Sequence, residues 1–182
     1  MIKNFLKNHK SHSKIVPYFD VFFLLRPVSY FAIWVVLCIG MYLNNFFPNA
    51  FLRETELFIT EISFQTIMIF IGITLLMSAI SIINQITDKK TDEINNKLFL
   101  LNKGFSIKLA KDIQKFLFTI SFLILLIFDW RIMLVSVIIT IIGFLYNKEP
   151  YEFKKKPLAG LLCNCLFCFF ILVAGFIHST TS

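Results

Sequence analysis

The sequence predicts an all-α, multi-pass transmembrane helical bundle of about five spans with its N-terminus in the cytoplasm. Composition is the first reason. Of 182 residues 57% are hydrophobic, 23 are phenylalanine, and the mean hydropathy is +0.75. One soluble core of this size cannot hide that much apolar surface, so the bilayer is the solvent that fits. The other two reasons are five long apolar stretches and the way the net charge of +7 is distributed around them.

A span needs roughly 20 mostly apolar residues. Residues 1–20 form a basic tail carrying Lys3, Lys7, Lys10 and Lys14, together with His9 and His12. The tail has no apolar core of a cleavable signal peptide, and it is expected to stay cytoplasmic and touch anionic membrane lipid. Span one covers residues 21–43 and span two residues 62–86. Span three, residues 115–128, is short as apolar sequence, with a helix starting near Lys111. The preceding "FSIKLAKDIQKFLF" alternates apolar residues with lysine, as an interfacial helix does. Span four covers residues 132–147 and span five residues 157–178. Only Asp129, Trp130 and Arg131 separate spans three and four, which predicts a tight helical hairpin. Residues 21–178 thus read as one membrane domain.

Charge supports this count. Of the 18 lysines and arginines, all but Arg53 and Arg131 fall before or at the start of span one, between spans two and three, or between spans four and five. The positive-inside rule puts those three segments in the cytoplasm, and five alternating spans require the same. In a membrane protein this excess marks cytoplasmic loops, so no nucleic acid partner is expected.

Where span two ends, "SIINQITDKKTDEINNK" places Asn84, Asp88 and Asp92 four residues apart. On a continuous helix they form one oxygen-bearing stripe. Two readings stand. The span simply ends in solvated residues, a view that Lys89, Lys90 and Glu93 suit. Alternatively, the stripe binds a divalent metal. Mg²⁺ prefers oxygen ligands, takes one or two protein carboxylates, and completes its shell with water and phosphate. Asn164 is a lone amide inside span five, where a polar group is expected to face a partner helix or a pocket. Cys163, Cys165 and Cys168 read as packing residues, because their spacing gives no tight cluster on a helix. The glycines other than Gly104 are expected to bring helices close together.

Four segments, in order, resemble the UbiA superfamily of intramembrane prenyltransferases. "LLRPVSYF" is similar to the family's Arg-Pro start of the first helix, and "NQITDKKTD" to its first Asp-rich motif, NxxxDxxxD. "NKLFLLNKGFS" is similar to the segment that follows, and "GFLYNKEPYEFKKKPLAG" to the exit of the fourth helix. The resemblance implies transfer of a prenyl group from a prenyl diphosphate to a small lipophilic or aromatic acceptor, with release of pyrophosphate. It implies Mg²⁺ held by Asp88, Asp92 and Asn84, with Asp88 and Asp92 central to catalysis. Asn84, Tyr146, Lys154 and Arg26 would bind the substrate headgroup.

The chain also departs from the pattern. Gln85 stands where an acid is common, Leu100 and Leu101 where Arg-Pro is usual, and Glu149 and Glu152 where proline and a basic residue are usual. Lys148, Lys155 and Lys156 are the cations available to compensate. The family's second Asp-rich motif has no counterpart, since no aspartate follows Asp129. Two functions therefore stand. One is a prenyltransferase completed by residues outside this chain, for example from a second chain. The other is a non-catalytic UbiA-like half-domain with a structural or assembly role.

Overall fold

The computed structural model describes residues 18–49, 63–95 and 105–179. These residues are helical: α1 (Tyr18–Leu24), α2 (Val28–Asn49), α3 (Phe64–Ile94), α4 (Ile107–Phe128), α5 (Trp130–Asn147) and α6 (Pro157–Ser179), with a short 3-10 turn at Phe153–Lys155. The basic tail before Tyr18, Arg53, and the segment holding Leu100, Leu101 and Gly104 lie outside the described residues.

The chain is an all-α, multi-pass membrane bundle. Helices α3, α5 and α6 are each long and apolar enough to cross a bilayer, and α1 with α2 qualifies as a pair bent by 44°. Two expectations change in detail. Span one is not continuous from residue 21, because it breaks at residues 25–27. Pro27 disfavours a helical residue before it, and Arg26 takes a left-handed φ of 54°. The last turn of α1 tightens as a result, with Leu25 N and Arg26 N each donating to a carbonyl three residues back, both at 3.2 Å.

Helix α4, the expected third span, does not meet the same test by composition. Its first turns carry Lys108, Lys111, Asp112 and Lys115. The apolar remainder is about 13 residues, roughly 20 Å at 1.5 Å per residue against a core of about 30 Å. Ala110 and Leu117 pack with Ala79 and Ile82. The charged turns of α4 therefore stand beside the polar end of α3.

The most extensive packing joins α3 to α4 and α2 to α6. The second pair crosses backbone to backbone. A Cβ added at Gly40 would run into the carbonyl oxygen of Leu172, and one at Gly175 into that of Leu37. Close approach replaces the hydrophobic driving force that is absent in lipid. Asn44 Nδ2 donates to the Phe176 carbonyl at 2.5 Å across the same crossing. Between α2 and α3 the links are polar: Trp34 Nε1 donates to Thr74 Oγ1, and Tyr30 Oη bonds Ser78 Oγ, each at 2.9 Å.

At the end opposite the charged turns of α4, Thr66 Oγ1 meets His178 Nε2 at 2.8 Å and Gln65 donates to the Phe128 carbonyl at 2.9 Å. Asp129 caps α5 by accepting from Arg131 N at 3.0 Å and pairs with the Arg131 guanidinium at 3.1 Å. Asn164 is exposed on the outer face of α6, so the contact expected for it is not made by the described helices. Cys163 is buried while Cys165 and Cys168 are exposed, so the three do not share a face.

The crossing of α2 and α6 generates a test. Gly40→Ala or Gly175→Ala forces the two backbones apart and should destabilise by about 1–3 kcal/mol, as overpacking does. A thermal melt in detergent should show a fall of several degrees for either variant and little change for Leu161→Ala, whose side chain is 62% exposed. Equal melts for all three would contradict the crossing.

Candidate functional site

The site begins with the length of α3. Its 31 residues span about 46 Å, while the apolar part, residues 64–83, is enough for about 30 Å of hydrocarbon. Asn84, Asp88 and Asp92 thus ride on a rigid extension beyond the apolar run. The helix is continuous through all three, so the stripe expected from their spacing exists. Asp92 is buried, at 6% exposure, one turn beyond Asp88.

The second half of the site comes from the connection between α5 and α6. Lys148 N closes α5 on the Phe144 carbonyl at 2.8 Å. Glu152, with φ of 35°, then reverses the chain into the 3-10 turn. Gly160, at the start of α6, packs against the carbonyl of Phe153 and the Cα of Lys154. This turn aims Lys154 at α3. Its Nζ donates to Asp88 Oδ1 at 2.5 Å and Thr87 Oγ1 at 2.6 Å, and reaches Asn84 Oδ1 at 3.5 Å. The Lys154 side chain is only 10% exposed and that of Asp88 28%. Three oxygens of one helix therefore converge on a single cationic centre supplied by a residue 66 positions away.

The remaining expected site residues are Arg26 and Tyr146. Arg26 is half-buried at the break between α1 and α2. Tyr146 is half-buried in the core, edge-to-face with Phe167 at 6.3 Å. Among the described residues no hydrogen bond joins Tyr146 to Asn84, Asp88 or Lys154. The structure thus brings Asn84, Asp88 and Lys154 together, and leaves Tyr146 on the apolar side.

The neighbouring lysines are engaged locally. Lys155 pairs with Glu152 at 2.7 Å. That hydrogen bond, aided by the charges of Glu152, Glu149 and Asp88, raises the Lys155 pKa above the usual 10.5. Because the pKa is raised, the pair's contribution to the turn is complete below 10.5 and fades as pH rises through the higher value. Lys148 stacks over Phe144 at 4.3 Å and Lys156 over Phe153 at 5.4 Å. Glu152 is thus neutralised by its own neighbour.

No group of three His, Cys, Asp or Glu side chains that could hold a metal occurs among the described residues. The converging donors are instead an amide oxygen, a hydroxyl and a carboxylate. Such a hard-oxygen set fits Mg²⁺, which needs only one or two protein carboxylates when water and phosphate complete its shell.

The model of the UbiA prenyltransferase family matches residues 33–182. The chain belongs to the UbiA prenyltransferase family. It is accordingly an integral membrane protein of prenyltransferase type. No curated protein and no solved structure matches it.

Three further residues of this UbiA chain matter to the site. Thr87 was hidden inside the motif because it is off the four-residue spacing, yet it is one of the acceptors for Lys154. Gln85, 3% exposed, donates through Nε2 to the Leu24 carbonyl at 2.8 Å. This satisfies a carbonyl freed where α1 ends, and it gives the departure at residue 85 a physical reason. An ionised acid at this position has no proton to donate. The third is Asn147, 1% exposed. Its Nδ2 donates to the Gly143 carbonyl at 2.9 Å, while its Oδ1 is buried with no hydrogen-bond partner. Gly143 lies against Ile80, so Asn147, one turn further, stands level with Asn84 on the neighbouring helix.

Gln85→Leu removes the donor and leaves the Leu24 carbonyl buried without a partner, which should destabilise by about 1–3 kcal/mol. Thermal unfolding in detergent should show this as a lower midpoint than that of the parent chain. An unchanged midpoint would mean that the Gln85 amide does not hold the break between α1 and α2.

Proposed function

We propose that this chain binds a polyprenyl diphosphate at the polar end of α3 and takes part in prenyl transfer to a small lipophilic or aromatic acceptor. The observation that carries the reading is the convergence of Asn84, Thr87 and Asp88 on Lys154. It supplies oxygens suited to a divalent metal and a cation suited to phosphate, at one point. Asn84 and Asp88 would hold Mg²⁺, with Asp92 one turn further along the same helix. The metal's chemistry is to neutralise the diphosphate so that it can leave with the electrons of the carbon–oxygen bond.

The chain's own residues account for binding and orientation. Lys154 holds a phosphate oxygen by charge, and Arg26 lies on the flank of α3 where Gln85 fixes the break between α1 and α2. The apolar bundle, Tyr146 included, suits the prenyl tail. The side chains that close the site beyond this half, in particular a second Asp-rich motif, would come from residues outside this sequence, in cis or on a second chain. The pairing of Asp88 with Lys154 inside the chain also leaves a second reading, a UbiA-like membrane domain that assembles without catalysing.

The two readings separate by binding. A non-hydrolysable prenyl thiodiphosphate should bind the purified chain in a Mg²⁺-dependent manner, and Asp88→Ala should weaken it at least about tenfold, the equivalent of 1.4 kcal/mol. Binding that ignores both the metal and the substitution would leave the structural reading. Turnover is expected only after the second motif is supplied. Mg²⁺-dependent pyrophosphate release by the 182 residues alone would overturn that part of the proposal.

A further inference from the structure

We infer that Lys154 is a placeholder cation, which occupies the oxygens of α3 until a diphosphate draws it away and thereby admits the metal. The inference rests on the metal–diphosphate reading above and concerns how that site discriminates between a bare metal ion and a metal–diphosphate pair. Its basis is geometric. The ammonium of Lys154 lies 2.5 Å from Asp88 Oδ1, 2.6 Å from Thr87 Oγ1 and 3.5 Å from Asn84 Oδ1. A metal bound through Asp88 and Asn84 would need the same oxygens and the same space. An ammonium and a divalent cation that close would also repel each other strongly. Both cannot occupy the site unless Lys154 moves.

The side chain is built to move in this way. Lysine is a point charge on a flexible four-carbon stem, with three donors that can be redirected without moving the backbone. The backbone beneath it is held in place. The 3-10 turn is tied by Lys155 N to the Glu152 carbonyl at 2.9 Å and by Lys156 N to the Phe153 carbonyl at 3.0 Å. It is also braced by the Lys155–Glu152 ion pair and by Gly160. Lys155 is committed to Glu152, and Lys148 and Lys156 to phenylalanine rings, so Lys154 is the lysine of this turn that faces α3. A diphosphate offers it a more negative partner than a single carboxylate does. Once the ammonium turns to phosphate, Asp88 and Asn84 are released to the metal.

The consequence is coupling between two ligands. Metal alone binds weakly because it must evict Lys154. Diphosphate alone binds weakly because Asp88 repels it. Together they bind cooperatively, and by linkage each raises the affinity of the other by the same factor. Lys154 thus acts as a specificity-determining residue that keeps the site closed to a bare metal ion.

Mn²⁺ titration of the purified 182-residue chain, followed by electron paramagnetic resonance with and without inorganic pyrophosphate, tests this without any need for turnover. In the parent chain pyrophosphate should raise Mn²⁺ affinity at least about tenfold. In Lys154→Met, Mn²⁺ alone should bind about tenfold more tightly than in the parent, and the gain from pyrophosphate should largely vanish. Lys154→Arg, which keeps a cation in place, should bind Mn²⁺ alone no more tightly than the parent and guards against a folding artefact. Asp88→Ala should abolish binding in every background. If Mn²⁺ binds in an Asp88-dependent way but Lys154→Met leaves its affinity unchanged or lower, the placeholder role is wrong and the metal site stands. If no Asp88-dependent binding occurs even with pyrophosphate, the metal–diphosphate reading fails and the placeholder fails with it.

Discussion

The rest of the structure depends on one mismatch of length, that between helix α3 and the hydrocarbon it crosses. A helix of about 20 apolar residues would have spanned the core and ended. Helix α3 continues to Ile94, and its extra turns carry Asn84, Thr87, Asp88 and Asp92 as a rigid rod rather than a loop. Polar groups fixed on a helix keep their mutual geometry, which a binding site requires and a solvated loop does not provide. Those turns also supply Gln85, whose amide anchors the end of α1.

Within the apolar region the organising rule is that each polar group needs a partner inside the protein. Trp34 and Tyr30 reach across to Thr74 and Ser78, and Ser121 Oγ donates to the Gly72 carbonyl at 2.8 Å. At the far end Thr66, His178, Asp129 and Arg131 tie the ends of α3, α5 and α6 together. Exceptions occur among the described residues. The Oγ atoms of Ser81 and Ser136 and the Oδ1 of Asn147 are buried without a hydrogen-bond partner, the last level with the site. The amide of Asn164 is exposed on the outer face of α6. Glycine serves the same economy of space at Gly40 and Gly175, where two helices approach too closely for any side chain.

Much of this was legible in the sequence, for identifiable reasons. Four-residue spacing is a local property of a helix, so the stripe of Asn84, Asp88 and Asp92 could be read directly. Charge distribution, a property of loops, put the turn bearing Lys154 at the same end as that stripe. What could not be read is contact between distant segments. Spacing gives no sign that Thr87, off the stripe, shares Lys154 with Asp88, or that Lys155 is consumed by Glu152. The break at Arg26 is written in Pro27, yet the apolar run around it reads as one span because hydropathy does not register backbone direction. Only the resemblance puts Tyr146 with the headgroup, and in the structure its ring packs against the core beside Phe167.

The central claim is that the polar end of α3 and the turn between α5 and α6 meet at Asp88 and Lys154. Cysteine cross-linking in native membranes tests it most directly. Cys38, Cys163, Cys165 and Cys168 would first be replaced by alanine, and Thr87→Cys combined with Lys154→Cys. Oxidation, or a short bis-thiol reagent, should join the two rapidly into an internally looped species of altered mobility. Gln65→Cys with Lys154→Cys, at opposite ends of the bundle, should not be joined. Failure of the first pair to cross-link, or equal reaction of both pairs, would contradict the account.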